Sequence, residues 1–231
     1  MNDELKVTRN GQILEVTLDR PKANAIDAAT STAMGQVFSD FRDDNDLRVA
    51  ILTGGGDRFF SAGWDLKAAA EGESYDSDYG VGGFGGINEL FDLNKPVIVA
   101  MNGHAIGGGF ELALAADIII AADHVEMWQP EIFAGVIGDS GCFRLPRMIP
   151  MNIAKELLLT GRRMGTEEAL RWGIINAAVP VDQLMVAARE MAETMIAAAP
   201  LALAATKETI RLTQSVGIEE CYAMMKNGGL P

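Results

Sequence analysis

Apolar positions divide the chain into an α/β first part and a helical second part. Leu5 to Arg9 and Ile13 to Leu18 show β-branched alternation around Asn10-Gly11, which predicts two strands joined by a tight turn. A helical period then runs from Asp27, whose carboxylate suits an N-cap, to about Phe41. Val49 to Thr53, Pro96 to Met101 and Ile118 to Ala122 are short apolar runs that read as buried strands, and Phe110 to Ala116 between the last two reads as a helix. Strands that alternate with helices predict an α/β fold with crossover connections. From Asp139 onward the pattern is mostly helical, with segments at Asn152–Thr160, Thr166–Trp172, Val181–Ala199 and Leu201–Thr213. Thr166, followed by Glu167 and Glu168, marks a helix start. The expected organisation is an α/β core over residues 1–180 and a helical C-terminal part over 181–231.

Ala70 to Asn88 has neither period and is rich in glycine and acidic residues. A stretch of that length in a compact domain is either a mobile lid or a plain surface loop, and its start just after a candidate site favours a lid.

Composition narrows the function classes. With 48% hydrophobic and 22% charged residues among 231, the chain can bury one large core. The most apolar stretch, Ile106 to Ile120, is broken by Glu111 and Asp117, so no run reaches the roughly 18 residues of a membrane span. The opening is charged and lacks the apolar segment of a secretory leader. Cys142 and Cys221 sit far apart without metal-ligand spacing, which points to a reducing compartment, by default the cytoplasm. A net charge of −13 argues against a nucleic-acid partner, yet an anionic ligand could still be held by backbone donors and a few lysines.

The chemistry concentrates at Gly107-Gly108-Gly109-Phe110-Glu111. A strand, a glycine turn and a helix start together expose backbone N–H groups, and glycines admit a ligand close to the main chain. Glu111 would face whatever those groups hold. This is an oxyanion site beside an acid/base, the arrangement that carbonyl chemistry needs. The alternative is tight strand–helix packing with Glu111 as a surface acid.

Phe60-Ser61-Ala62-Gly63-Trp64-Asp65-Leu66 and Asn102-Gly103-His104-Ala105-Ile106-Gly107-Gly108-Gly109-Phe110-Glu111-Leu112 together resemble the two signature blocks of the enoyl-CoA hydratase/isomerase (crotonase) superfamily. Arg20-Pro21-Lys22-Ala23-Asn24-Ala25, Gln129-Pro130-Glu131, Thr160-Gly161-Arg162-Arg163 and Glu168-Ala169-Leu170 through Gly173 extend the resemblance in family order over roughly residues 10 to 180. Ser61 to Gly72, Gly161 to Met164, Thr8 to Gly11 and Leu18 to Ala28 are most similar to its carnitinyl-CoA dehydratase (crotonobetainyl-CoA hydratase) subfamily.

The resemblance implies a ββα superhelix core and a hydro-lyase that reversibly dehydrates carnitinyl-CoA to crotonobetainyl-CoA through an enolate. It implies Trp64 and Gly108 as backbone oxyanion donors and Glu111 and Glu131 as the acid/base pair. Coenzyme A, present as part of the thioester substrate rather than as a resident cofactor, would lie along Lys22, Ala23, Ala25, Ala62, Asp65 and Leu66. Lys22 and Lys67 either reach its phosphates or are solvated surface charges. For a quaternary ammonium, Trp64, Trp128 and Tyr79 offer aromatic faces and Asp139 a charge, although packing is the commoner fate of a tryptophan. No metal is implied. A homo-oligomer, trimer or dimer of trimers, is. The alternatives are a hydratase of short fatty enoyl-CoA, an enoyl-CoA isomerase, and a CoA-binding scaffold without catalysis.

Two departures accompany the match. Gly138-Asp139-Ser140-Gly141-Cys142-Phe143-Arg144 is one residue shorter than the family's usual run, so the pocket floor is expected to be reshaped. A last helical segment usual in the family is not found before Pro231, so the C-terminal part is expected to be short. Gly138-Asp139-Ser140-Gly141 also copies a serine-protease nucleophile motif, but those enzymes need a histidine base and a buried aspartate in a β-barrel, whereas the two histidines here, His104 and His124, both lie amid an α/β pattern without secretory or disulfide context.

Overall fold

The computed structural model describes residues 4–231; the first three residues of the charged opening lie outside the described residues. In chain order the elements are β1 (Leu5–Asn10), β2 (Ile13–Leu18), β3 (Ala25–Ile26), α1 (Ala28–Asp43), β4 (Val49–Gly54), β5 (Phe59–Ser61), β6 (Gly63–Trp64) and α2 (Leu66–Ala70). After a long connection follow β7 (Val97–Met101), β8 (His104–Ile106), α3 (Gly108–Leu114), β9 (Ile118–Ala122), β10 (Glu126–Trp128) and α4 (Asp139–Met148). The remainder comprises α5 (Met151–Thr160), β11 (Met164–Gly165), α6 (Thr166–Trp172), β12 (Ala177–Val179), α7 (Leu184–Ile196), α8 (Pro200–Thr213) and α9 (Ile218–Lys226).

Six strands form the main sheet in the order β1-β2-β4-β7-β9-β12. β1 and β2 pair antiparallel, and every later neighbour is parallel. A second sheet, β11-β10-β8-β5, runs beside it, and β3 pairs with β6. The succession β7–β8–α3 repeats as β9–β10–α4, each unit placing one strand in each sheet before a helix. This is the ββα superhelix that the resemblance implied. The hairpin turn falls one residue later than the Asn10-Gly11 pair suggested, because Asn10 still pairs with Ile13.

All five residues of β7 are buried, as expected of a parallel strand covered on both faces. α7 supplies part of that cover through Leu184, Ala188 and Ala192, and Arg189 on α7 makes two 2.8 Å bonds to Glu15 on β2. The division expected at residue 180 therefore precedes an element of the core. By contrast, α8 and α9 bury no residue.

α6 starts at Thr166 as expected; the cap position is Gly165, and the Thr166 hydroxyl donates to the Asp123 carbonyl at 2.9 Å. One local expectation is corrected: the stretch expected to be a mobile lid is packed in its second half. Gly86 lies so close to α1 that a Cβ would stand 2.7 Å from the Met34 Cβ, and the Gly85 N–H donates to Ser31 Oγ at 3.1 Å. Here the glycines serve close approach rather than freedom of movement.

Candidate active site

β6 and the start of α3 come into close contact. Gly63 adopts φ +81°, and a Cβ on it would stand 2.7 Å from the Gly108 nitrogen. Glycine is the residue that meets both conditions without strain. The Trp64 peptide is thus set beside the first N–H groups of α3, which as helix-start donors have no acceptor within the helix.

Glu111, in the first turn of α3, is 6% exposed, and its Oε1 accepts the Gly141 N–H of α4 at 2.7 Å. Burial raises its pKa to about 7; the Gly141 N–H opposes the rise, while Glu131 and Asp139 add to it and Arg144 opposes it. Glu131 opens a 3-10 turn, Glu131–Ala134, directly after Pro130. A Cβ on Gly107 would stand 2.6 Å from its Oε1, which puts this carboxylate at the same turn. Burial also raises the Glu131 pKa, against its own backbone N–H and with help from Asp139.

Gln129 is 3% exposed and holds Glu131 in place. With its amide oriented to match donor with acceptor, its nitrogen donates to the two Glu131 oxygens at 3.1 and 3.3 Å. Both glutamates open on one cavity of about 810 Å³, together with Trp64, Gly108, Tyr79 and Asp139. A buried carboxylate pair with raised pKa values can hold one proton between its members near neutral pH, the state required for acid/base work on a single water.

The residues expected along coenzyme A are gathered but lie outside this cavity. Ala25 pairs with Gly63, the Ala62 N–H donates to the Ala23 carbonyl, and the Asp65 N–H donates to the Ile26 carbonyl, both at 2.9 Å. Arg20 clamps the two segments together: its guanidinium bonds Asp65 Oδ2 at 2.6 Å, the Ala25 carbonyl at 2.9 Å, and Asp27. Leu66 is 73% exposed, Lys22 is exposed with φ +76°, and Lys67 reaches Glu71 at 3.6 Å. Asp65 and Leu66 directly follow Trp64, the residue of this segment that lines the cavity.

Trp128 is a correction. It does not line the cavity; its ring lies 4.4 Å from the Arg163 guanidinium carbon and edge-on to His104 at 6.0 Å. Strand alternation explains this, since Met127 in β10 and Gln129 just after it take the buried side and turn Trp128 the other way. Three residues without an assigned role at the sequence level do belong to the site. Gln129 stood within Gln-Pro-Glu, where its spacing from Glu131 was the available signal. Tyr75 and Phe84 line the cavity from the aperiodic stretch, where nothing marked them. Among the described residues, no group of three or more His, Cys, Asp or Glu side chains could hold a metal ion. Among them too, no helix is long and apolar enough to cross a membrane.

Residues 8–225 match the family model described as enoyl-CoA hydratase/isomerase. The chain is 59% identical over 231 residues to a carnitinyl-CoA dehydratase of Salmonella arizonae, covering 100% of this chain and 88% of that protein. Among solved structures it is similar to an enoyl-CoA hydratase from Mycobacterium tuberculosis, with a TM-score of 0.89, 39% identity, and 97% and 88% of the two chains covered. It is also similar to a carnitinyl-CoA dehydratase from Mycobacterium avium, with a TM-score of 0.86, 35% identity, and 97% and 91% covered.

Proposed function

The chain belongs to the enoyl-CoA hydratase/isomerase family, and from that membership we propose that it is a hydro-lyase interconverting carnitinyl-CoA and crotonobetainyl-CoA. The observation that carries the reading is the pair Glu111 and Glu131 on one cavity with Gly108 and Trp64.

In dehydration, one carboxylate takes the proton from C2 and the electron pair moves onto the thioester oxygen. Enolate charge on that oxygen is held by the Trp64 and Gly108 N–H groups, and losing one such donor typically costs about 10²–10³ in rate. The other carboxyl protonates the hydroxyl on C3, the C–O bond breaks, and water leaves as the double bond forms. Hydration is the reverse, on the same face. Coenzyme A lies along Lys22, Ala23, Ala25, Ala62, Asp65, Leu66 and Lys67 as part of the substrate, and the residues above carry the chemistry without a resident cofactor. A homo-oligomer, trimer or dimer of trimers, is part of this reading, as is the cytoplasm, which suits the free thiols of Cys142 and Cys221.

The test is a panel of crotonyl-CoA, a 3-enoyl-CoA and crotonobetainyl-CoA, followed by loss of enoyl absorbance and a mass gain of roughly 18 Da for water added. Crotonobetainyl-CoA should be hydrated with the highest kcat/KM. Positioned acid/base groups are worth about 10²–10⁴, so Glu111→Gln and Glu131→Gln should each lose that much turnover with folding intact. Near-normal turnover in either variant would remove its glutamate from the mechanism.

A further inference from the structure

One wall of the cavity is aromatic in a way the proton chemistry does not use. Trp64 and Tyr75 meet edge to face, with centroids 5.9 Å apart and planes at 84°. Tyr79 and Phe84 do the same at 5.5 Å and 78°. All four residues line the cavity, and so does Asp139. Two perpendicular pairs on one cavity are the elements from which an aromatic box can be built.

The polar tips of these rings are engaged elsewhere. The Trp64 indole N–H donates to Glu73 at 2.9 Å, the Tyr75 hydroxyl to the Ile137 carbonyl at 3.2 Å with the Asp139 carboxylate also within its reach, and the Tyr79 hydroxyl to the Tyr75 carbonyl at 3.2 Å. What remains for a ligand is π surface. Phe84 fixes where the box sits along the substrate, because a Cβ on Gly108 would stand 2.6 Å from its Cε1. The box therefore begins beside the site proposed for the thioester oxygen, and four single bonds separate a thioester carbon from a nitrogen on C4, a reach of about 5 Å.

The surroundings are electronegative. Asp76, Glu89, Glu111, Glu131 and Asp139 line the same cavity. Of its two arginines, Arg144 is engaged by Ser140 Oγ and the Asn88 carbonyl, and Arg147 by the Phe143 carbonyl. Burial pushes the Tyr75 phenol up to about 12, with Asp139 and then Glu111 adding to the rise. Burial does the same for Tyr79, with Glu73, Asp139 and Asp76 adding. A quaternary ammonium has no N–H to donate, so aromatic faces and a nearby carboxylate are the partners it can use.

Resting on the substrate proposed above, we propose that Trp64, Tyr75, Tyr79 and Phe84 box the trimethylammonium end of the acyl chain, with Asp139 as its counter-charge. Selectivity for a cationic acyl group is then set by residues outside the proton-transfer pair.

Binding of unreactive esters tests this apart from catalysis. The probes are γ-butyrobetainyl-CoA and its neutral isostere, in which tert-butyl replaces trimethylammonium, each titrated calorimetrically into the intact protein. The wild type should prefer the cationic ester by about 10-fold or more, several cation–π contacts acting together. Asp139→Asn, which keeps an acceptor for the Ser140 N–H, and Tyr75→Leu should each weaken the cationic ester by about 2- to 30-fold and the neutral one by less than about 2-fold. Tyr75→Phe keeps the ring and should keep the preference. Equal binding of the two esters by the wild type, or equal weakening of both in Asp139→Asn, overturns the box even where crotonobetainyl-CoA is hydrated. A preference that falls in the variants while no enoyl-CoA gains water supports the box and removes the reaction instead.

Discussion

Burial lifts the Glu111 carboxyl from 4.5 to about 7, with the Gly141 N–H opposing the rise and Glu131 and Asp139 adding to it. The unfolded chain ionises near the lower value and the folded chain near the higher. Stability from this group is thus fully present below pH 4.5 and is lost as pH rises through about 7. At pH 8 the native state carries an ionised, buried carboxylate at a cost of up to about 3 kcal/mol. Glu111→Gln keeps an oxygen for the Gly141 N–H and removes the titration. Its stability relative to wild type should therefore rise between pH 5 and pH 8 by up to about 3 kcal/mol, read from urea midpoints at fixed protein concentration. A difference that stays constant with pH would mean that Glu111 is not held in its neutral form. Glu111, in the first turn after the glycine run, became legible through the ordered motif blocks around it; the run alone left tight packing with a surface acid equally open. Trp128 misled because composition marks an aromatic residue but not the face of the strand it leaves from.

At the scale of elements, the regular strands and helices were legible wherever period and apolar content agreed, as in β2, β4, β7 and β9. The stretch from Ala70 to Asn88 was not, because glycine content signals both freedom and close packing. Its two halves now differ physically. The Gly83, Gly86 and Glu89 N–H groups bond the Gly80, Gly83 and Gly82 carbonyls, and Gly86 fits against α1. Gly72, with open space around it, sits in the exposed half. Hydrogen exchange should show the amides of Gly83, Gly86 and Glu89 protected well beyond those of Glu71 to Ser77. Gly86→Ala combines φ +78° with a collision against Met34, which predicts a loss of more than about 2 kcal/mol, whereas Gly72→Ala meets strain alone, about 1 kcal/mol. Equal losses at the two positions would return the whole stretch to a loose loop. α9 was not read from the sequence although Ile218, Cys221, Tyr222 and Met225 recur at helical spacing; the stripe is short and faces away from the core, since Ile218 to Lys226 buries nothing.

At the scale of the whole molecule, the C-terminal helices and the rim of the site leave apolar surface in water. Leu201 is 83% exposed and Ile218 76%; Ile137 is exposed on the cavity lining and Phe133 in the turn that Glu131 opens. Large apolar side chains left in water mark an interaction site where they gather into a patch. Opposing association is the net charge of −13 on every chain, a repulsion that grows as copies gather and that salt screens over about 8 Å at physiological ionic strength. Apolar attraction and charge repulsion respond oppositely to salt, which makes the balance measurable. Sedimentation should give three or six times the 24.7 kDa chain mass at moderate salt, with dissociation favoured as salt is removed. Replacing Leu201 and Ile218 together by glutamate should shift the protein toward the single-chain mass. An unchanged mass in that double variant would place the contacts elsewhere, with the exposed rim at Phe133 and Ile137 the next surface to test.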